Sequence, residues 1–323
     1  MMKKLLIIHT GGTIAMSEDA ETGSVMPNPN NPLHDVLRTV DYIDLVVEDF
    51  LNVPSPHMTP ANMVHLAKRI DKRVMEEKID GVVVTHGTDT LEETAFMLDL
   101  ILETDIPVVV TGAMRSSNEL GSDGPYNLFS SIRTAASTEA RNKGVLVVLN
   151  DEIHTAKNVT KTHTSNIATF QSPQYGPIGI VAKRGIHFHH HPVSGPRFVV
   201  PSVHKKVLLL KAAAGMEPEL IDAICQTPLD GLIIEAFGQG NLPPATVSSF
   251  RTLIEKGIPI VLVSRCFNGV VQDIYGYDGG GKKLKEMGMI FTNGLNGQKA
   301  RLKLMVALEK TSDRERLQEI FNH

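Results

Sequence analysis

The chain has 323 residues, enough for two domains with cores of their own, and its 42% hydrophobic and 21% charged residues are those of an ordinary globular protein. Its formal charge of −4, from 36 acidic and 32 basic residues without long runs of one sign, argues against a nucleic-acid or anionic-membrane partner. Two cysteines, Cys225 and Cys266, are too few for a disulfide framework; with no stretch long enough to span a bilayer and no signal-like start, a cytoplasmic protein is expected.

The first predicted element is a strand over residues 5–8, an apolar run suited to a parallel strand covered on both faces. It stops at Gly11-Gly12, where a backbone without Cβ turns sharply and comes close to a ligand. Thr13 follows, its hydroxyl at the carboxyl end of the strand. From Met16 to Asn31 the Gly, Pro, Asn and Ser residues leave neither a helical nor a strand period, and a lid loop over Thr13 is expected. A second strand over 45–51 ends in Asn52-Val53-Pro54-Ser55-Pro56-His57. Thr59-Pro60 then opens a helix with Met63, Leu66, Ile70 and Val74 on one face.

The third strand, 81–85, ends in His86-Gly87-Thr88-Asp89-Thr90, and Thr90-Leu91-Glu92-Glu93 reads as the capping box of the next helix. The fourth, 107–110, ends in Thr111-Gly112-Ala113-Met114-Arg115. Residues 127–137 read as a helix, 144–149 as a strand closed by Asn150-Asp151, and 157–162 as a polar loop. Strands joined by helical crossovers lie parallel, so three small, hydroxyl-rich loops share the sheet edge at which α/β folds bind ligands. Lys161 is either a solvated loop lysine or swings back to that edge.

A boundary runs from about 185 to 204, with Pro192, Pro196 and Pro201 and no helical period. It includes His187, His189, His190 and His191, which are set aside as a metal site: neighbouring strand residues face opposite ways, and no Cys or paired carboxylate stands at zinc spacing. Strands at 206–210, 231–235 and 259–263 then alternate with helices at 217–225 and 243–256, followed by a loop over 268–281 and two helices in the last forty residues. The expected fold is α/β: a larger N-terminal doubly wound sheet domain (1–190), a linker (191–205) and a smaller C-terminal parallel α/β domain (206–323).

The phosphate-binding P-loop, the dinucleotide fingerprint and the serine elbow are all missing from this sequence. What remains is a threonine nucleophile, Thr13, supported by Thr88, Asp89 and Lys161. A threonine hydroxyl needs an adjacent base, and a lysine kept neutral by desolvation and oriented by Asp89 would serve. Backbone N–H groups beside Gly11-Gly12 or Gly87-Thr88 would receive an oxyanion. This chemistry requires no cofactor.

Thr10-Gly11-Gly12-Thr13-Ile14-Ala15 and His86-Gly87-Thr88-Asp89-Thr90 resemble the two signature motifs of bacterial-type L-asparaginases, the cytoplasmic type I-like enzymes in particular. The resemblance continues through Ser122-Asp123-Gly124-Pro125, Lys161 and Gly238-Gln239-Gly240-Asn241-Leu242 to Asn296-Gly297-Gln298-Lys299-Ala300-Arg301, essentially the whole chain. It implies hydrolysis of the small molecule L-asparagine to L-aspartate and ammonia, with weak glutaminase activity as a further expectation. Thr13 then forms a β-acyl ester, Thr88 is the second essential threonine with Lys161 and Asp89 as partners, Asp89 holds the α-amino group and Ser55 grips the α-carboxylate. Gly12 joins the substrate-binding set, and Asn241, Tyr275 and Tyr277 are further candidates. A homodimer or homotetramer is implied, its sites completed across a subunit interface by the 268–281 loop.

Three departures stand out. Val25 sits where the family carries a lid tyrosine, Pro56 replaces a glutamine, and the stretch matching the type II neighbour-subunit glutamate has Tyr275 and Tyr277. Either tyrosine is a candidate substitute for the lid hydroxyl. Two rival readings are the amidase subunit of a tRNA-dependent amidotransferase, for which an extra N-terminal domain and a basic face are expected, and a non-catalytic amino-acid-binding protein.

Overall fold

A computed structural model describes residues 2–28, 32–33, 37, 40, 42–193 and 195–323. The chain divides into two compact units, 1–199 and 200–323. Strands of the first unit are β1 (Lys4–His9), β2 (Met16–Glu18), β3 (Val25–Pro27), β4 (Asp44–Asp49), β5 (Gly81–Thr85), β6 (Val108–Thr111), β7 (Val145–Leu149), β8 (Glu152–Thr155), β9 (Thr160–Lys161), β10 (Phe170–Gln171), β11 (Gly179–Ala182) and β12 (Gly185–Phe188). Among the described residues its longer helices are α1 (Pro60–Glu77), α2 (Leu91–Ile101) and α3 (Gly124–Ala136).

Eight strands form one sheet in the order β12-β11-β8-β7-β6-β5-β1-β4. From β4 to β7 every pairing is parallel, which puts the carboxyl ends of β1, β4, β5 and β6 on one edge. All residues of β5, β6 and β7 are buried, as continuous Val and Leu runs require of strands covered on both faces. Alternation sorts them: Leu5 and Ile7 pack with Val83, Val109 and Leu146 against Leu128 and Ile132 of α3. Helix α1 begins as its sequence dictates, with Pro60 in the first turn and the Thr59 hydroxyl accepting from the Asn62 N–H at 3.2 Å. Its Met63, Leu66 and Ile70 are buried, and Val74 is half-buried.

Five expectations need correction. Residues 16–28 are not periodless: β2 and β3 pair as an antiparallel hairpin, while residues 29–31 of that stretch lie outside the described residues. Asn150 and Asp151, at φ +50° and +63°, turn β7 straight back into β8, adding an antiparallel arm with β11 and β12. Asn and Asp tolerate that left-handed conformation at low cost, which makes the pair a hairpin turn rather than a strand end. The boundary segment opens inside β12, and the polar loop carrying Lys161 contains β9, paired with β10. Finally, the Thr90 hydroxyl does not cap α2 but donates to the Ser55 carbonyl oxygen at 2.8 Å.

The second unit holds β13 (Val207–Lys211), β14 (Gly231–Ala236), β15 (Ile260–Ser264) and β16 (Ile290–Phe291), all parallel in that order. Its helices are α4 (Glu219–Cys225), α5 (Val247–Glu255), α6 (Gly281–Met287), α7 (Gly297–Leu308) and α8 (Arg314–Phe321). A separate core gathers Leu232, Ile234, Phe250, Leu262 and Leu284. Strand β16 and helix α6 add to the two helices expected near the end, because Ile290-Phe291 is too short a run to read as a strand.

Candidate active site

The loops after β1, β4 and β5 interlock through glycine. Gly11 and Gly12 have φ of +101° and +85°, conformations that other residues rarely adopt. A Cβ on Gly12 would overlap the Gly87 backbone, and one on Gly87 would stand 2.7 Å from Ser55 Cβ. Removing these side chains lets three backbones meet at one point. The contact is fixed by hydrogen bonds: Thr10 donates to the Thr85 carbonyl through its N–H (3.1 Å) and its hydroxyl (2.8 Å), and His9 Nδ1 lies 2.8 Å from Thr85 Oγ1.

A buried histidine and a half-buried aspartate hold the neighbouring loops. His86 Nδ1 bonds the Gly87 carbonyl oxygen at 2.8 Å; a carbonyl only accepts, so Nδ1 carries the proton and Nε2 accepts from the Thr94 hydroxyl at 2.9 Å. Burial pushes the imidazole down to about 4, keeping it neutral. The loop after β6 is held by Asp123, which accepts from the Met114 N–H (3.0 Å) and the Arg115 N–H (3.0 Å). Asn127 extends the brace, donating to the Gly112 carbonyl at 3.0 Å and accepting from the Asn150 N–H at 3.0 Å.

These loops surround a pocket of about 310 Å³, lined by Gly12, Thr13, Ser55, Thr88, Asp89 and Lys161 together with Met16, Pro54, Pro56, Gly87, Met114 and Thr164. Six of the predicted site residues therefore meet in one cavity. Lys161 Nζ donates to Thr88 Oγ1 at 3.0 Å and to Asp89 Oδ1 at 2.7 Å. The lysine side chain is 16% exposed and that of Asp89 60%, so the pair sits at the cavity rim. Lys161, expected as a neutral lysine oriented by Asp89, stands against that carboxylate as an ion pair. Ser55 joins the two halves of the wall, its hydroxyl accepting from the Asp89 N–H at 3.2 Å. Thr13 opens the turn after Gly12 and lines the same cavity as Lys161.

Asn241, Tyr275 and Tyr277 belong to the second unit and do not line this pocket. The Asn241 side-chain oxygen Oδ1 accepts from the Gly281 N–H at 3.3 Å, while the two exposed tyrosines lie tilted against each other with ring centroids 5.6 Å apart. Val25, at the place of the absent lid tyrosine, is exposed on β3. Reasoning from the sequence missed Met16, Pro54, Met114 and Thr164 in the wall, and also Glu92, whose carboxylate accepts from the Lys161 N–H at 3.1 Å. Glu92 was legible only as an intervening residue of the capping box that pairs Thr90 with Glu93. Among the described residues no cluster of three or more His, Cys, Asp or Glu side chains is arranged to hold a metal ion.

Residues 4–194 match the family described as Asparaginase, N-terminal, and residues 206–321 match the Glutaminase/Asparaginase C-terminal domain. The chain is 38% identical to a probable L-asparaginase of Deinococcus radiodurans, over 99% of this chain and 97% of that protein. It is 34% identical to L-asparaginase 2 of Escherichia coli, over 99% and 93%. Among solved structures it is similar to a probable cytoplasmic L-asparaginase from Campylobacter jejuni, with a TM-score of 0.88, 34% identity and 99% of each chain covered.

Proposed function

The chain belongs to the asparaginase family, and from that premise we propose that it hydrolyses L-asparagine to L-aspartate and ammonia through a threonine acyl-enzyme. The observation that carries the reading is the Lys161 ammonium bridging Thr88 and Asp89 in a pocket that Thr13 also lines. Thr13 Oγ1 attacks the side-chain amide carbon, and its proton passes to the nitrogen that leaves as ammonia. Water then cleaves the ester, restoring Thr13 and releasing aspartate. Thr88, oriented by Lys161, handles the proton of the attacking group, and N–H groups of the interlocked glycine loops receive the negative charge that develops on the carbonyl oxygen. Asp89 and Ser55 hold the α-amino and α-carboxylate groups of the substrate.

Glutamine, one methylene longer, is a weaker substrate of the same site; relatives named glutaminase-asparaginase support that part of the reading. A cytoplasmic location is proposed with it, consistent with two free cysteines and, among the described residues, no helix long and apolar enough to cross a membrane. We also propose a homo-oligomer, on the strength of Phe267, Ile274, Tyr275 and Tyr277 standing exposed together in one loop region of the second unit.

Ammonia release measured with asparagine, glutamine and buffer alone tests the activity. Thr13→Ala is expected to fold, bind aspartate and lose turnover by about 10³-fold or more. Near-normal ammonia release from Thr13→Ala would overturn the nucleophile; aspartate binding by a wild-type chain that releases no ammonia would favour a binding protein.

A further inference from the structure

We propose that Glu92 is a positioning residue that aims Lys161 at Thr88 and Asp89; this deepens the active-site reading above and rests on it. Lys161 lies on β9, a strand of two residues paired with a β10 of two residues. Ribbons that short do not hold themselves in water, and a lysine chain adds four rotatable bonds of its own. Something rigid must therefore fix the backbone from which the side chain starts.

Glu92 meets that need. It is buried in the first turn of α2, and its Oε1 accepts from the Thr160 hydroxyl at 2.9 Å and from the Lys161 N–H at 3.1 Å. Both atoms belong to β9, and hydrogen bonds to a charged acceptor are the stronger kind. Helix α2 starts directly after the loop bearing Thr88 and Asp89. The clamp on the Lys161 backbone thus stands in the helix turn that directly follows, in the chain, the two acceptors of its ammonium. The far side of the ribbon has its own ties: Gln171 Nε2 donates to Glu152 at 3.3 Å, and Ser172 Oγ lies 2.9 Å from His154 Nδ1. Those ties fix β10, and the Thr162 N–H and hydroxyl, each 2.8 Å from the Thr169 carbonyl oxygen, fix the chain beyond Lys161; the Lys161 N–H itself goes to Glu92, the contact by which the carboxylate sets the direction of the lysine.

The test uses the full chain with Glu92→Ala, Glu92→Gln and Thr160→Val. Acylation of Lys161 by acetic anhydride, followed by peptide mass spectrometry with exposed Lys78 as internal standard, reads the lysine without any substrate. Glu92→Ala is expected to speed Lys161 acylation about 10-fold, whereas Glu92→Gln, which keeps an acceptor oxygen, stays within about 2-fold of wild type. In ammonia release, kcat should fall about 10²-fold in Glu92→Ala with KM changed less than about 3-fold, and Glu92→Gln should restore most of the loss. In a Lys161→Met background Glu92→Ala should cost less than about 2-fold more, because it acts through the lysine. If Glu92→Ala does not fold, Thr160→Val removes one of the two contacts and should move the same readouts in the same direction by a smaller factor. Unchanged Lys161 acylation in the folded variants, or a Glu92→Ala loss that persists undiminished without Lys161, overturns the proposal. A wild-type chain inactive on asparagine would overturn the activity instead, while acylation still decides the role of Glu92.

Discussion

Lys161 and His86 show how differently a titratable side chain is used a few residues apart in space. Lys161 donates to two acceptors at the rim of the cavity, one a threonine and one a carboxylate, so the three side chains are expected to act as a unit. Thr88→Val and Lys161→Met should each lower kcat by about 10²–10⁴-fold, and the double variant should be hardly slower than the poorer single. Multiplying losses would show that the groups work independently. His86, by contrast, is walled in and neutral, held at about 4 against an ordinary value of 6.5. Between those pH values the unfolded chain binds a proton that the native chain refuses, so stability is present above about pH 6.5 and is lost as pH falls toward 4. The loss approaches about 3 kcal/mol at the low end of that window. Thermal unfolding of wild type and His86→Gln at pH 7 and 4.5 checks this: the variant starts less stable but should show a smaller drop in Tm. An equal drop would remove His86 from the account.

At the level of elements, the strand ends matter more than the strands. The runs of β1, β4 and β5 only deliver the loops to one edge; Gly11, Gly12 and Gly87 let those loops touch. The β2–β3 hairpin is the weaker neighbour, since three-residue strands are marginal by themselves. Its turn is built by Asp19, which accepts from the Thr22 N–H at 2.8 Å and the Thr22 hydroxyl at 2.9 Å; these bonds hold the Asp19 carboxyl below its ordinary range. The hairpin is clasped from outside by Asn118, which accepts from the Glu18 N–H and donates to the Glu18 carbonyl, both at 2.8 Å, while the Ser117 N–H reaches the Met16 carbonyl at 2.9 Å. Asn118→Ala should loosen the hairpin by about 1–2 kcal/mol of local stability. Limited proteolysis between residues 18 and 25 should then run about 10-fold faster, and KM should rise because Met16, at the hairpin base, lines the pocket. Cleavage at the wild-type rate would mean the clasp is not what orders it.

For the whole molecule, two sheets with separate cores are the main fact: eight mixed strands in one unit and four parallel strands in the other. The candidate pocket is lined entirely by the first unit. The exposed Phe267, Ile274, Tyr275 and Tyr277 of the second are the apolar surface on which the proposed oligomer rests. If subunits complete each other's sites, specific activity should fall on dilution in step with dissociation followed by light scattering. Mixing Thr13→Ala with a Tyr275→Ala/Tyr277→Ala variant should then restore part of the activity once subunits exchange. A fully active monomer would remove the shared site.

The local pattern of residues was enough to place β1, β5, β6 and β7 and the helices between them, because continuous Val, Leu and Ile runs and period-3.6 faces are properties of neighbouring positions. It was also enough to bring Thr13, Thr88 and Asp89 to one edge, since parallel strands share the direction of their ends, whereas Ser55 entered only through the family resemblance. What it did not contain was the partner of each loop. The contact of Lys161 with Glu92 spans 69 positions and that with Asp89 spans 72, and nothing in a two-residue strand announces which distant helix will clamp it. The β8–β11–β12 arm was hidden for a related reason: Asn150-Asp151 reads equally well as a strand end or a tight turn until the returning strand finds its place beside β7. Periodicity is a local property and register a non-local one, so the tertiary structure alone decided how the pocket walls close.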